Sequence, residues 1–376
     1  MAKMCFIVSS PTTLKCSLMG MLESLQDHSL FLVADYEHPP EPNEYPKGVR
    51  WITIPIKRKI KPLQDLLALI KLFRIMRRER FDLVFSQTPK AGLLAMMASW
   101  ASRMPLRIHV FTGQVWATKK GWFRRMLRSL DKLTSTCASE VLVDSPSQRD
   151  FLVGEGVITK NRSTVVADGS ICGVDTQRFR PNPDAHHRIR TELGIPRGML
   201  VFLFMGRMYR EKGVFELVEA FRSLHANNPN TCLVCVGPDE EGIAAQLKER
   251  EGIFVHDFTN RPEDFFAASD VFCLPSHREG FGLVIIEAAA CGVPAIGSNI
   301  YGISDAIVDG KTGLLHEVQN TTDLLRCMQQ LAHDHNLRTR LGQQARDRAF
   351  CQFSKERVVG GYVAHITQRL CNLRKI

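Results

Sequence analysis

Short apolar runs alternate with amphipathic stretches along the whole chain. In the first half, "MCFIVSS", "LFLVADY", "VRWITIPI", "FDLVFSQ", "LRIHVFTG" and "EVLVDS" have the length and β-branched or aromatic content of buried strands. Between them, "LKCSLMGMLESLQD", "LQDLLALIKLFRIMRRER", "AGLLAMMASWASRM" and "GWFRRMLRSLDKLTSTCA" repeat at helical spacing. The second half restarts the alternation with "MLVFLFMGR", "TCLVCVG", "IFVHDF", "VFCLPS" and "PAIGSN". Strands alternating with helices predict parallel sheets covered on both faces, so the fold class is α/β. The chain has 376 residues, more than one hydrophobic core usually serves, and two doubly wound domains follow. The Gly- and Pro-rich stretch "GSICGVDTQRFRPNPDAHH" places the linker near 174–190. Two such domains imply a cleft between them, with ligands outside the carboxyl ends of the strands.

Composition narrows the setting. The eleven cysteines are irregularly spaced, and Cys5, Cys232, Cys235 and Cys273 stand among apolar residues, which points to a reducing compartment. Cys232 and Cys235 form a CxxC, readable as a metal or redox pair or as two thiols of a buried strand; no second ligand pair stands nearby. The opening "MAKMCFIVSSPTT" reads as a strand and loop rather than a signal peptide. The longest apolar stretch, "AGLLAMMASWAS", falls short of the roughly 20 residues a membrane span needs, so a cytoplasmic location is expected.

Charge is unevenly distributed. Residues 1–170 carry 25 Lys and Arg against 15 Asp and Glu, whereas residues 171–376 carry 24 of each. The excess gathers in "IKRKIKPLQDLLALIKLFRIMRRER" and "KKGWFRRMLR", where cations alternate with Leu, Ile, Phe and Trp. Such stripes suit solvent, an anionic membrane or nucleic acid. Trp116, Trp122 and Phe123 beside Lys119, Lys120, Arg124 and Arg125 have the make-up of a shallow membrane-surface anchor. Zinc-finger spacing, an RNA-recognition strand motif and a basic zipper are all missing, so nucleic acid is the least supported partner.

Candidate chemistry concentrates in the second half. Neither a GxGxxG fingerprint nor a Walker A loop is present. After "VFLFMGR", Gly206 and Arg207 leave a strand end, and Lys212 precedes a helix that starts at Gly213. Two cations and a helix N-terminus suit a diphosphate. In "HREGFGLVIIEAAACG", Glu279 lies in a loop, Gly280 and Gly282 allow close backbone approach, and Gly292 closes the helix that follows. Glu287 stands alone on that apolar helix, either ion-paired or contacting the helix itself, or else accepting hydrogen bonds from a ligand's hydroxyls.

These residues carry a resemblance. "EGFGLVIIE" resembles the E-x7-E signature of retaining GT-B glycosyltransferases, and "LPSHREGFGLVIIEAAACGVPAIGSNIYGISDAIVDGKTGLL" is similar to the donor region of glycosyltransferase family 4. The likeness extends through "GRMYREKGVFELVEAF", "ASDVFCLPS" and "GVDTQRFRP", and "FSQTPKAGLLA" and "HVFTGQVWATKKGWFRR" resemble bacterial enzymes that extend lipid-linked sugars for O-antigen or capsule. The resemblance implies a GT-B fold with an acceptor- and membrane-facing Rossmann-like domain over 1–175 and a nucleotide-sugar donor domain over 176–353. A C-terminal helix, 354–376, would cross back onto the first domain, with Gly360 and Gly361 weakening it locally.

The resemblance also assigns roles. Arg207 and Lys212 would hold the donor diphosphate and stabilise its departure, and Glu287 would bond the ribose hydroxyls. Glu279 would face the donor sugar, with the amides of Gly280, Phe281, Gly282 and Leu283 lining it. No cofactor or metal is implied, and the sequence offers no DxD-type pair in a phosphate-facing position. Thr112-Gly113-Gln114 replaces the family's His-Gly, leaving Thr112 and Gln114 as candidate contacts or turn residues, and His109 reads as a sheet histidine. Lys90, Ser9, Ser10 and Thr12 are acceptor-side candidates.

The expected partners are a nucleotide-sugar donor with UDP favoured, a polyprenyl-diphosphate-linked saccharide acceptor and the inner membrane face. A soluble or protein acceptor, or a non-catalytic sugar-nucleotide or nucleic-acid binding role, stands as the alternative.

Overall fold

The computed structural model describes residues 1–9, 11–36, 45–57 and 60–373. Ser10 lies outside the described residues, as does the side chain of Thr12. The chain forms two compact units, Met1–Cys172 with Lys355–Ile376, and Gly173–Ser354.

In the first unit the strands are β1 (Lys3–Ile7), β2 (Ser29–Ala34), β3 (Arg50–Thr53), β4 (Leu83–Gln87), β5 (Leu106–Phe111), β6 (Glu140–Val143) and β7 (Ser163–Val165). Its helices are α1 (Pro11–Ser17), α2 (Met19–Ser24), α3 (Pro62–Glu79), α4 (Pro89–Ala101), α5 (Gly121–Cys137) and α6 (Pro146–Gly154). All strand pairs are parallel, in the order β3-β2-β1-β4-β5-β6-β7.

The second unit opens with α7 (Pro183–Glu192) and a six-stranded parallel sheet of β8 (Leu200–Met205), β9 (Thr231–Val236), β10 (Ile253–His256), β11 (Val271–Leu274), β12 (Ala295–Ser298) and β13 (Gly313–His316), ordered β10-β9-β8-β11-β12-β13. Helices α8 (Val214–Asn227), α9 (Ile243–Lys248), α10 (Pro262–Ala267), α11 (Leu283–Ala290), α12 (Ile303–Ala306), α13 (Thr321–His333) and α14 (His335–Phe353) cover it. The order reverses between β1 and β4 in one sheet and between β8 and β11 in the other, the positions at which open α/β sheets bind ligands.

Strands covered on both faces must be apolar throughout, and β9 is buried at every position. Successive strand residues face opposite sides, so Cys232 joins one core layer and Cys235 the other. Both are free thiols, pushed up to about 12 by burial, so the CxxC spacing here belongs to a strand.

Three local expectations differ. The expected helix over 14–27 divides into α1 and α2 around Leu18, although the N–H of Leu18 still bonds Leu14 O at 2.9 Å. The expected linker contains α7, started by Pro183 and capped by Asn182, whose side chain accepts from Ala185 N. Strands β7 and β13 have three and four residues, too few to show a period.

A last helix, α15 (Lys355–Leu373), returns to the first unit. Glu140 lies 2.9 Å from His365 Nε2 and 2.8 Å from Arg369 Nε, Tyr362 is fully buried, and Arg357 reaches Asp168 at 3.0 Å. Gly361 sits where a Cβ would lie 3.0 Å from Val166 Cγ1, so the glycine that weakens the helix also lets it pack closely.

Close packing yields a sign test in α4. Gly→Ala inside a helix ordinarily stabilises by about 0.5–1 kcal/mol. At Gly92, however, a Cβ would fall 2.1 Å from the ring of the buried His109. We therefore expect Gly92→Ala to destabilise by about 1–3 kcal/mol. A raised melting temperature in calorimetry would contradict this packing.

Candidate functional site

The candidate residues converge on the reversal point of the second sheet, in the loops leaving β8 and β11. After β8 the N–H of Gly206 bonds Val236 O at 3.0 Å, and a Cβ at Gly237 would stand 2.1 Å from Gly206 O. This glycine pair brings the loops after β8 and β9 together. Arg207 then lies over the Tyr209 ring at 4.9 Å and donates to both oxygens of Glu240 at 2.9 and 3.1 Å.

A 3-10 turn, Arg210–Lys212, leads into α8 through Gly213, whose φ is +71°. There a Cβ would meet Pro275 O at 2.0 Å, so the turn presses directly against the loop after β11. Three consecutive residues of that loop pair with the turn and with the first turn of α8. Glu279 accepts from Lys212, Arg278 donates to Glu211 at 2.9 Å, and His277 bonds Glu216 at 2.9 Å, while the N–H of His277 bonds Glu211 O at 2.9 Å. Lys212 and Glu279 are mostly shielded from solvent, so their geometry is held more firmly than a surface pair's. The field of Glu279 also reaches Arg207, placing both cations and this carboxylate in one electrostatic neighbourhood.

Beyond Glu279 the chain turns through Gly280, Phe281 and Gly282. Phe281 is buried edge-on against Phe353, at 5.1 Å between centroids. Gly302 backs the turn, since a Cβ there would fall 2.5 Å from Gly280 O. Gly282, at φ +87°, caps α11 with no side-chain hydrogen bond, so the amides that begin at Leu283 meet no capping side chain.

Glu287 is half-buried, one turn into α11, between the buried Ile286 and Ala288. Burial raises it to about 7, with Arg178 opposing and Glu263 adding to the rise. Arg178 is itself engaged by Glu263 at 2.8 Å and by Asn260 O at 2.8 Å. Among the described residues Glu287 has no hydrogen-bond partner, so of the readings left open by sequence, ion pairing and a contact with its own helix do not describe it. Nor do three His, Cys, Asp or Glu side chains gather in a metal-binding arrangement among the described residues.

The first unit distributes its candidates differently. Lys90 pairs with Asp65 at 2.6 Å and donates to Lys57 O at 2.8 Å. Thr112 is half-buried in the loop after β5, where Ser9 holds a similar position after β1. Gln114 is fully buried, its Oε1 accepting from Gln148 at 3.4 Å and its Nε2 without a partner among the described residues. His109 contacts Ser86 Oγ at 2.9 Å, and burial lowers it to about 3, which makes it a neutral core residue.

Trp116 corrects the sequence reading. It is fully buried, donates to Asp131 at 2.7 Å and stacks on Phe151, so it cannot serve as a membrane-surface ring. Trp122 and Phe123 are exposed at the start of α5, with Lys120 and Arg125 exposed beside them and Lys119 half-buried. Arg124 is held by Glu155 and lies over the Trp116 ring at 5.2 Å.

Sequence reasoning missed Glu240, Glu211, Arg278 and His277. A signal existed for two of them: in "REK" at one strand end and "HRE" at another, Glu211 and Lys212 meet Arg278 and Glu279 with opposite charge, whereas the partner of His277, Glu216, lies outside both triplets. Glu240 had none, because only the close approach of Gly206 and Gly237 brings it to Arg207.

With this geometry established, comparison with known proteins identifies the class. The family model for glycosyl transferases group 1 matches residues 186–348, and the glycosyl transferase 4-like domain matches residues 17–169. The chain is 29% identical over 313 residues to the capsular polysaccharide biosynthesis glycosyltransferase CapM of Staphylococcus aureus, covering 81% of each chain. It is 25% identical over 297 residues, 76% of each chain, to an Escherichia coli UDP-Gal:alpha-D-GlcNAc-diphosphoundecaprenol alpha-1,3-galactosyltransferase. In fold it is similar to Anabaena HepE in complex with UDP and glucose, with a TM-score of 0.81 and 18% identity over 98% of this chain and all of the other. The two parallel-sheet units are those of GT-B glycosyltransferases. The chain belongs to the group 1 glycosyltransferase family, glycosyltransferase family 4, and is an enzyme of that class.

The environment of Glu287 predicts a pH effect on stability. A carboxylate raised in the folded state is disfavoured once it ionises, so its contribution declines as pH rises from about 4.5 to about 7 and then levels off. Glu287→Gln removes that penalty. We expect the unliganded variant to melt higher than wild type at pH 8, by about 2–4 °C per kcal/mol relieved, and equally at pH 5. A lower melting temperature at pH 8 would show that a partner stabilises the ionised carboxylate.

Proposed function

We propose that the enzyme transfers a hexosyl group from a UDP-sugar to a polyprenyl-diphosphate-linked saccharide at the cytoplasmic membrane face, retaining the anomeric configuration and using no metal. The observation carrying this reading is the convergence of Arg207, Lys212 and Glu279 at the β8–β11 reversal point, beside the open N-terminus of α11. UDP is named with the Anabaena neighbour, and a diphosphoundecaprenol acceptor with the E. coli relative; both support the choice of substrate class.

In this mechanism the donor diphosphate lies between Arg207, Lys212 and the amides beginning at Leu283. As the bond from the anomeric carbon to phosphate oxygen breaks, negative charge grows on that oxygen, and the two cations with the helix dipole stabilise it. The acceptor hydroxyl attacks from the same face, its oxygen bonds the anomeric carbon, and its proton passes to the departing phosphate oxygen. Glu279 orients the sugar hydroxyls while positioning Lys212. Ionised Glu287 accepts hydrogen bonds from the ribose hydroxyls, so donor affinity weakens as pH falls through about 7. Lys90, Thr112 and Gln114 belong to the acceptor side of this reading. The exposed Lys120, Trp122, Phe123 and Arg125, with Lys119 and Arg124, belong to its membrane side.

A thermal-shift series with UDP, GDP and their sugars tests the donor site. Stabilisation by UDP compounds, unchanged by EDTA, is expected; loss of the shift in EDTA would overturn metal independence, and a preference for GDP would overturn the choice of donor.

Kinetics separate the roles of the residues. Arg207→Ala should slow transfer by about 10² or more at saturating donor. Glu287→Gln should instead raise the donor KM and flatten its pH dependence below 7. Equal, small effects from both changes would contradict these assignments.

A further inference from the structure

Three consecutive acids, Asp239, Glu240 and Glu241, follow β9 and stand beside a cation that the proposed function assigns to a diphosphate. Facing the ligand, they would repel it. Two of them are engaged by backbone amides instead. Asp239 accepts from the N–H groups of Glu241, Ile243 and Ala244 at 3.2, 3.0 and 2.9 Å, at the start of α9, and Glu241 accepts from the N–H of Arg210 at 3.1 Å. Glu240 turns its carboxylate to Arg207, with both oxygens on Nη1 at 2.9 and 3.1 Å.

The backbone holds Glu240 to that direction. β8 and β9 pair in parallel from Leu200 and Thr231 to Met205 and Val236, and their loops stay joined beyond the sheet. The N–H of Gly206 bonds Val236 O at 3.0 Å, that of Met208 bonds Pro238 O at 2.8 Å, and that of Glu240 bonds Met208 O at 3.1 Å. Met208 is fully buried in the core of the second unit. Arg207 and Tyr209 are its chain neighbours and Glu240 is bonded to it, so all three side chains start from one fixed point of the fold.

The guanidinium of Arg207 is oriented by two contacts. It lies over the Tyr209 ring at 4.9 Å, and Nη1 is committed to Glu240. A guanidinium carries its five N–H donors in a rigid fork. With Nη1 occupied, the edge formed by Nε and Nη2 carries, among the described residues, only a long contact of 3.4 Å to Tyr209 Oη. That edge offers two parallel donors, the arrangement a phosphate accepts. The side chains of Arg207 and Glu240 are each 37% exposed, and pairs so exposed add little to stability. The effect of this one lies in orientation and charge.

We infer that Glu240 is a positioning residue for the transfer, fixing Arg207 with its Nε and Nη2 edge toward the departing phosphate while its own charge loosens the hold on the nucleoside diphosphate. An oriented guanidinium meets the charge that grows on the leaving oxygen without first reorganising. The carboxylate behind it repels bound UDP before and after transfer, so it lowers affinity that would not speed the chemical step and hastens product release. The inference rests on the donor reading given above and extends it from the cation to the carboxylate that holds it.

Calorimetric titration of the full-length protein with UDP, and turnover of the UDP-sugar that gives the largest thermal shift, read as UDP released, test it. Glu240→Gln should tighten UDP about threefold or more, because a negative charge is removed, and slow turnover about tenfold or more, because Arg207 loses its orientation. Its melting temperature should match wild type. Tyr209→Leu should slow turnover as well, and Tyr209→Phe, which keeps the ring, should restore it. In an Arg207→Ala background, Glu240→Gln should change turnover no further, since it acts through Arg207.

Unchanged turnover by Glu240→Gln would overturn the inference, as would weaker UDP binding by that variant. A full effect of Glu240→Gln in the Arg207→Ala background would show that it acts by another route, and would overturn it too. Arg207→Ala with wild-type UDP affinity and turnover would sink the donor reading and this inference with it. Slow turnover by Arg207→Ala beside wild-type behaviour of Glu240→Gln would sink the inference alone.

Discussion

The candidate site depends on one backbone approach that a side chain would prevent. At Gly213 the turn before α8 lies against Pro275 O at a distance that leaves no room for a Cβ. Only because these backbones touch can His277, Arg278 and Glu279 pair with Glu216, Glu211 and Lys212. Ion pairs near a surface are each worth about 0–1 kcal/mol, so the ladder's value lies in orientation rather than stability. It fixes Lys212 and Glu279 before any ligand arrives, which lowers the ordering cost of binding.

Glu287 shows the opposite economy. A half-buried carboxylate raised to about 7, without a hydrogen-bond partner among the described residues, is held against its own preference. Residues of this kind concentrate at functional sites, where stability is lost locally in return for a group that a ligand can satisfy. The apolar helix around it is what makes the carboxylate conspicuous in sequence and responsive in structure.

Much of this was legible before the structure. Parallel-strand runs such as "TCLVCVG" are continuous because helices cover both faces, and the placement of Glu279 and Glu287 relative to the glycine turn follows from local rules for loop and helix. What sequence could not supply was partnership. Trp116 and Trp122 stand six residues apart in the same basic, aromatic stretch, yet one is core and the other surface, because Asp131 and Phe151 arrive from elsewhere to cover the first. The apolar residues of α3 likewise occur on both faces, and only the packed neighbours of Ala68, Leu72 and Met76 reveal which face is left over. Glu240 was invisible because its role depends on two glycines meeting across a sheet.

The return of α15 gives the first unit a discontinuous make-up, with the second unit continuous between its two pieces. During synthesis from the N-terminus, Glu140 emerges long before His365 and Arg369, its partners. The unit translated first is therefore the last to close, and it waits with the docking site for α15 open while the second unit folds. Translation that terminates before α15 would leave a complete second unit joined to an incomplete first one.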